Sequence, residues 1–189
     1  MKRFSIILGL ILLTTSAFAQ NDPVTALRDD GHVLMLRHAI APGFGDPAEF
    51  DINDCSTQRN LSEEGRAQAR SIGERLRGEG LGDITVYTSA WCRCRETAAE
   101  MDLTEAKAHP GLSSFFQDRE GRDEIIAELR DLLSELADGP PAVLVTHQVN
   151  IRAIAGQGVR SGEGLIVKPD DEGSVRIVGS FSPEGPTPP

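Results

Sequence analysis

Val33-Leu34-Met35-Leu36-Arg37-His38-Ala39 is the stretch whose reading decides the fold. Four consecutive apolar residues predict a short strand buried on both faces, because a half-buried strand would alternate. The run ends in an arginine and a histidine, and a loop with Pro42, Gly43, Gly45 and Pro47 follows. In α/β sheets, ligand-binding groups gather where strands end and loops begin. A cation and an imidazole delivered there are candidates for a site.

Ala142-Val143-Leu144-Val145-Thr146 is a second apolar run, and it too ends in a histidine, His147. Ile84 to Thr88 predicts a further strand, leading into Ser89. Helices fall between the strands. Ser62 is a good N-cap, Glu63 and Glu64 suit the positive helix end, and Gly65, Ala69, Ile72 and Leu76 share one face before Gly78 and Gly80. Ser89 to Met101 predicts a turn into a helix. Asp123 to Ala137 predicts an amphipathic helix with Ile126, Leu129, Leu133 and Leu136 as its stripe. A helix is also expected from Asn150 to Gly156, and a short one from Val24 to Asp30, stopped by Gly31. Residues 108–121 read as irregular. Leu165-Ile166-Val167 and Val175 to Val178 predict a closing hairpin. This alternation predicts an α/β fold, a three-layer α/β/α sandwich around a mostly parallel sheet. His38, Ser89 and His147 would then share one rim.

The ends read differently. Met1-Lys2-Arg3 is basic, Phe4 to Leu13 is apolar, and Ala17-Phe18-Ala19 fits a cleavage site, so residues 1–19 are expected to be a cleaved signal peptide. No cysteine follows the apolar run, and no membrane anchor is expected. The expected organisation is signal peptide 1–19, one folded domain 20–181, and a disordered Pro-rich tail 182–189, with a periplasmic location. The net charge is −10, and losing Lys2 and Arg3 takes it near −12. Such an acidic chain is not expected to bind nucleic acid. In an oxidising compartment Cys55 is expected to bond to Cys92 or Cys94, which stand too close together to pair readily with each other. Metal-site spacing is absent, and neither a metal nor a cofactor is expected.

Four stretches, in order, resemble the motifs of the histidine phosphatase (phosphoglycerate mutase-like) superfamily. Leu36-Arg37-His38-Ala39 resembles its Arg-His-Gly signature, with Ala39 in place of the glycine. Arg59-Asn60-Leu61-Ser62-Glu63-Glu64-Gly65-Arg66-Ala67-Gln68-Ala69 is similar to its R-x-L-T-x-x-G-x-x-Q-A stretch. Ser89 to Ala98 is similar to its S-P-x-x-R-x-x-x-T-A stretch, with Arg93 as the arginine. Val143 to His147 resembles the strand carrying its second histidine.

The resemblance implies a phosphoglycerate mutase-like fold and metal-independent phosphomonoester hydrolysis through a phosphohistidine. It makes His38 the nucleophile, with Arg37, Arg93 and His147 around the phosphoryl group and Arg59 as a substrate-binding residue. Permanently charged, planar guanidinium groups suit that task, since phosphoryl transfer is governed by positioning and cationic stabilisation. The acid is the departure. Gln148 follows His147 where one branch of the family carries Asp, and Ser114 stands where another carries Glu, so Asp118 is the expected acid. Resemblance to exported members of the superfamily implies small phosphorylated substrates, such as phosphorylated sugars of the cell envelope. The competing expectation is a non-catalytic phosphoglycan-binding protein that retains the phosphate pocket.

Overall fold

The computed structural model describes residues 22–185. The segment read as a signal peptide and the last four residues of the tail lie outside them. Six strands form one sheet: β1 (Val33–Arg37), β2 (Thr85–Thr88), β3 (Lys107–Ala108), β4 (Ala142–Thr146), β5 (Gly164–Pro169) and β6 (Val175–Phe181). Their order is β3-β2-β4-β1-β5-β6. The first four are mutually parallel, and the β5–β6 hairpin joins antiparallel to β1.

Both faces of the sheet are covered, which explains the unbroken apolar runs. Leu34 and Leu36 of β1 face one core, shared with Ile72 and Leu76 of α1 (Glu63–Gly78) and Ala98 and Met101 of α2 (Cys92–Met101). Val33 and Met35 face the other, with Leu129, Leu132 and Leu133 of α3 (Arg122–Glu135) and Ile151 of α4 (Gln148–Ala155). Leu132 takes the buried place expected of Ile126, which is only half-buried. β3 is not legible in 108–121: it is two exposed residues at the sheet edge, paired with Tyr87 and Thr88. Beyond β6, Ser182 to Gly185 make a turn, with the Gly185 N–H donating to the Ser182 carbonyl at 3.2 Å. Among the described residues no helix is long and apolar enough to cross a membrane.

Register places the rim. Arg37 lies opposite Thr146 and Thr88 opposite Val145, so His38, His147 and Ser89 follow side by side. The His38 N–H donates to the Thr146 carbonyl at 3.0 Å and the Ser89 N–H to the Val145 carbonyl at 3.0 Å.

α1 and α2 pack closely because Gly73 lets the Met101 carbonyl approach its backbone, where a Cβ would collide with that oxygen. Gly73→Ala is therefore expected to destabilise the fold by about 1–3 kcal/mol, although alanine is the better helix former by about 1 kcal/mol. Gly78→Ala, with nothing within 4 Å of the added carbon, is the control. Urea unfolding should separate the two, and equal midpoints would show that the close approach carries no weight.

Candidate active site

The rim of the sheet opens into a cavity of about 310 Å³ lined by Arg37, His38, Arg59, Arg93 and His147, among others. Each side chain is held from behind. His38 follows directly on β1, is buried, and donates from Nδ1 to the Ala39 carbonyl at 2.8 Å. That bond fixes the tautomer and leaves the Nε2 lone pair free. Burial pushes the His38 pKa down to about 3. The Ala39 hydrogen bond opposes this, and the charges of Arg93, Arg37 and Arg59 reinforce it.

His147 is buried beside it, the ring centroids 5.5 Å apart. Its Nε2 stands 2.9 Å from Ser89 Oγ and 3.5 Å from Cys94 Sγ. The Ser89 oxygen also accepts from the Trp91 N–H at 3.4 Å; with the Ser89 proton directed at Nε2, the ring N–H of His147 would lie on Nδ1. Burial, followed by the charge of Arg93, holds His147 well below the ordinary histidine value.

The arginines are positioned by loops. Arg37 donates from Nη1 to the Val159 carbonyl at 3.1 Å. Arg93 lies in the first turn of α2, whose N–H at Cys92 is capped by the Gln58 side-chain carbonyl at 2.9 Å. The Nε groups of Arg37 and Arg93 are buried donors without a partner. Native proteins rarely leave such groups unpaired, and an oxyanion would satisfy them. Arg59 is half-buried and binds the carbonyls of Ala41 and Gly45, bracing the loop while it lines the cavity.

One residue at the centre has no counterpart in the sequence reading. Asp46 forms a buried ion pair with Arg93, Oδ1 to Nη1 at 2.7 Å, with side-chain exposures of 5% and 3%. It also accepts from Trp91 Nε1 at 3.1 Å and from the Arg59 N–H at 3.2 Å. Burial opposes its ionisation, but the hydrogen bond and charge of Arg93 outweigh that and hold its carboxyl below the usual value. Its backbone is clasped in turn by the Gln117 amide, which accepts from the Asp46 N–H at 2.6 Å and donates to its carbonyl at 3.2 Å.

Asp118, the expected acid, does not line the cavity. It is exposed, and its carboxylate accepts from the Glu120 N–H at 3.1 Å. Anchoring of Gln117 to Asp46 brings Ser114, Phe116 and Gln117 to the cavity, and the chain turns away after them.

The remaining motif residues are braces. Thr97 Oγ1 accepts from the Ala39 N–H at 3.0 Å and donates to the Arg93 carbonyl at 2.7 Å, joining the two halves of the site. Gln68 accepts from the Ile40 N–H at 3.1 Å and donates to the Ser161 carbonyl at 3.0 Å. Gly65 admits the Ile40 carbonyl where a side chain could not fit. Cys55 is bonded to Cys92, with Cα atoms 5.7 Å apart, and Cys94 is free and buried. Burial pushes the Cys94 thiol up to about 12, with the Arg93 charge opposing.

Known proteins share the fold. The profile of the histidine phosphatase superfamily (branch 1) matches residues 52–141. Among solved structures, the protein histidine phosphatase SixA in its tungstate complex is similar over 80% of this chain and 97% of its own, with 19% identity and a TM-score of 0.59. A mycobacterial glucosyl-3-phosphoglycerate phosphatase is similar over 77% and 96%, with 17% identity and a TM-score of 0.57. A putative phosphohistidine phosphatase SixA from Agrobacterium tumefaciens is similar over 82% and 99%, with 18% identity and a TM-score of 0.55. No curated protein matches the sequence.

Two outcomes follow from the site. Non-reducing peptide mapping is expected to recover Cys55 linked to Cys92, with Cys94 unreactive to thiol reagents until the protein unfolds. Three reactive thiols in oxidised protein would contradict this. The second concerns pH. Unfolded histidines take up protons as pH falls through about 6.5, whereas His38 resists protonation down to about 3. The unfolded state binds more protons in that window, so stability rises with pH across it and falls on acidification. The His38 and His147 imidazole resonances should not titrate between about pH 7.5 and 5 by NMR. A shift through the ordinary histidine range would refute the neutral assignment.

Proposed function

We propose that the chain is a member of the histidine phosphatase superfamily, whose profile matches residues 52–141, and that it is a phosphomonoesterase working through a covalent phosphohistidine. The observation that carries this reading is His38: a neutral imidazole whose Nδ1 proton is committed to Ala39, with Arg37, Arg93 and His147 around the same cavity.

In the first step His38 Nε2 attacks phosphorus, an N–P bond forms, and the ester P–O bond breaks with its electrons leaving on oxygen. The positive charge gained by the ring is met by the Ala39 carbonyl at Nδ1. Arg37, Arg93 and the His147 N–H donate to the phosphoryl oxygens, where charge is spread in the transition state. In the second step water attacks phosphorus, the N–P bond breaks with its electrons returning to Nε2, and the proton the water gives up balances the one the leaving oxygen took from solvent. Each protein group in this scheme works without a metal ion.

Asp46, the carboxylate at the cavity, is held as an anion by Arg93. It positions Arg93 and does not carry a proton for the leaving group. Rates should therefore depend steeply on leaving-group basicity. The same observation favours the second reading, a phosphoglycan-binding protein, for substrates with alkyl leaving groups. The signal-like residues 1–19 support a periplasmic location, and phosphorylated envelope sugars are the substrates we propose. The glucosyl-3-phosphoglycerate phosphatase among the structural neighbours supports the sugar class.

His38→Ala is expected to abolish p-nitrophenyl phosphate turnover. Arg93→Ala should lose about a hundredfold or more, as when one preorganised donor is removed, and should also be less stable because buried Asp46 loses its partner. Turnover should persist in EDTA. Quenching with ³²P-labelled substrate should trap label on the protein that survives alkali and is lost in acid. Wild-type turnover by His38→Ala, or a requirement for divalent metal, would overturn the mechanism. Turnover of p-nitrophenyl phosphate without turnover of any phosphosugar would favour the binding protein.

A further inference from the structure

The cavity is larger than a phosphoryl group requires, and its surroundings are not uniform. A second hollow of about 290 Å³ shares Phe116, Val149 and Arg152 with the cavity of His38. A third, of about 450 Å³, shares Arg37, Gln148 and Arg152 with it. Arg152, on α4, is the residue common to all three.

Charge distinguishes these hollows. On this acidic chain Arg28, Arg66, Arg70 and Arg160 are each paired with a carboxylate. Among the described residues, no carboxylate pairs with Arg152 or Arg119. The third hollow already holds Glu163 beside Arg160. The second is lined by Arg119, Arg122 and Arg152 over an apolar floor of Phe115, Phe116, Val149 and Ala153, and contains no acid. Arg122 is partly occupied, with Asp123 at 2.7 Å. Arg119 and Arg152 are thus guanidinium groups placed over apolar surface beside the reaction cavity.

The rim of the reaction cavity is aromatic. Phe44 and Phe116 come from different loops and meet edge to face, their centroids 4.9 Å apart. Phe44 is 88% exposed, yet both rings line the reaction cavity. Exposed rings flanking a cleft offer contact area to a ligand.

We propose that the substrate's leaving group carries a second oxyanion, bound by Arg152 with Arg119, on a carbon skeleton that packs against Phe44 and Phe116. The inference rests on the phosphatase reading above and narrows it to doubly anionic phosphosugars. The second group is either a planar carboxylate or a second tetrahedral oxyanion. The reaction phosphate would occupy the cavity of Arg37 and Arg93, and the second anion the hollow of Arg119. Guanidinium groups favour both sites through charge-assisted, paired hydrogen bonds.

The test uses non-hydrolysable probes and the purified wild-type protein. The methylene phosphonate of glucose 1-phosphate is compared by calorimetry with the matching glucuronic acid phosphonate, which differs by a carboxylate in place of a hydroxymethyl. A third probe carries a 6-sulfate, standing for a second tetrahedral oxyanion. At low salt the wild type should bind one or both charged probes at least about fivefold tighter than the neutral one, and salt should narrow the gap. The charged probe that gains affinity identifies the oxyanion. Arg152→Ala should narrow the gap, its combination with Arg119→Ala should abolish it, and Arg152→Lys should keep part of it. Equal affinity of the wild type for all three probes overturns the proposal, whether or not the variants fold. A charged-probe preference in a protein that fails to turn over p-nitrophenyl phosphate would sink the phosphatase reading while leaving the anion site standing.

Discussion

The parallel pairing of β1 with β4, in the register that sets Arg37 against Thr146, is the constraint on which the rest depends. It brings the two histidines to the same level at the end of adjacent central strands. A slip of one residue would reverse the side chains of a strand. Here that would send Leu34 and Leu36 out of the core under α1 and α2, and Val33 and Met35 out of the core under α3. Two separately packed cores therefore resist the same slip. The precision of the site begins in burial, far from any polar group.

That precision serves an electrostatic problem. Three guanidinium groups stand around two imidazoles in a partly buried cavity, and burial and mutual charge work against the cations: Arg37 and Arg59 are each lowered from the ordinary arginine value by burial and then by Arg93. Asp46 relieves this by pairing with Arg93, the arginine whose charge acts on both of the others. Removing one member of a buried pair costs about 3–5 kcal/mol, so Asp46 contributes to both fold and site. Burial, reinforced by the same positive field that suits phosphate, keeps His38 unprotonated, so its basic nitrogen remains available.

What is legible in the sequence follows local rules. The doubly buried strands announce themselves through unbroken apolar runs, and Ser62 is recognisable as an N-cap because the cap is a local contact, its side chain accepting from the N–H of Gly65 at 3.1 Å. His38, Arg93 and His147 can be found from strand ends and motif spacing. Asp46 cannot. It is one acid among several in a long loop, and its meaning comes from Arg93, Trp91 and Gln117, all distant in sequence. Asp118 attracts attention only through its proximity along the chain to the motif position at Ser114. The anchoring of Gln117 decides which residues of that loop reach the cavity, and no local pattern encodes it. The strand β3 escapes for a related reason: two residues carry no periodicity, and the edge of β2 defines them.

The motif stretch between Arg59 and Ala69 now takes on a different sense. Arg59 braces carbonyls of the loop, Ser62 caps α1, Gly65 admits the Ile40 carbonyl, and Gln68 spans from Ile40 to Ser161. None of these contacts is itself a chemical step; each fixes the segment that follows His38. The profile match over residues 52–141 likewise includes Arg59, Arg93 and Thr97 but neither His38 nor His147. Apart from Arg93, similarity in that span is therefore similarity of support. A pair of histidines at two strand ends is a small pattern that many sequences could present by chance. What makes the pair specific is the frame that must hold one ring nitrogen of each in a fixed direction, and that frame requires far more residues than the chemistry does.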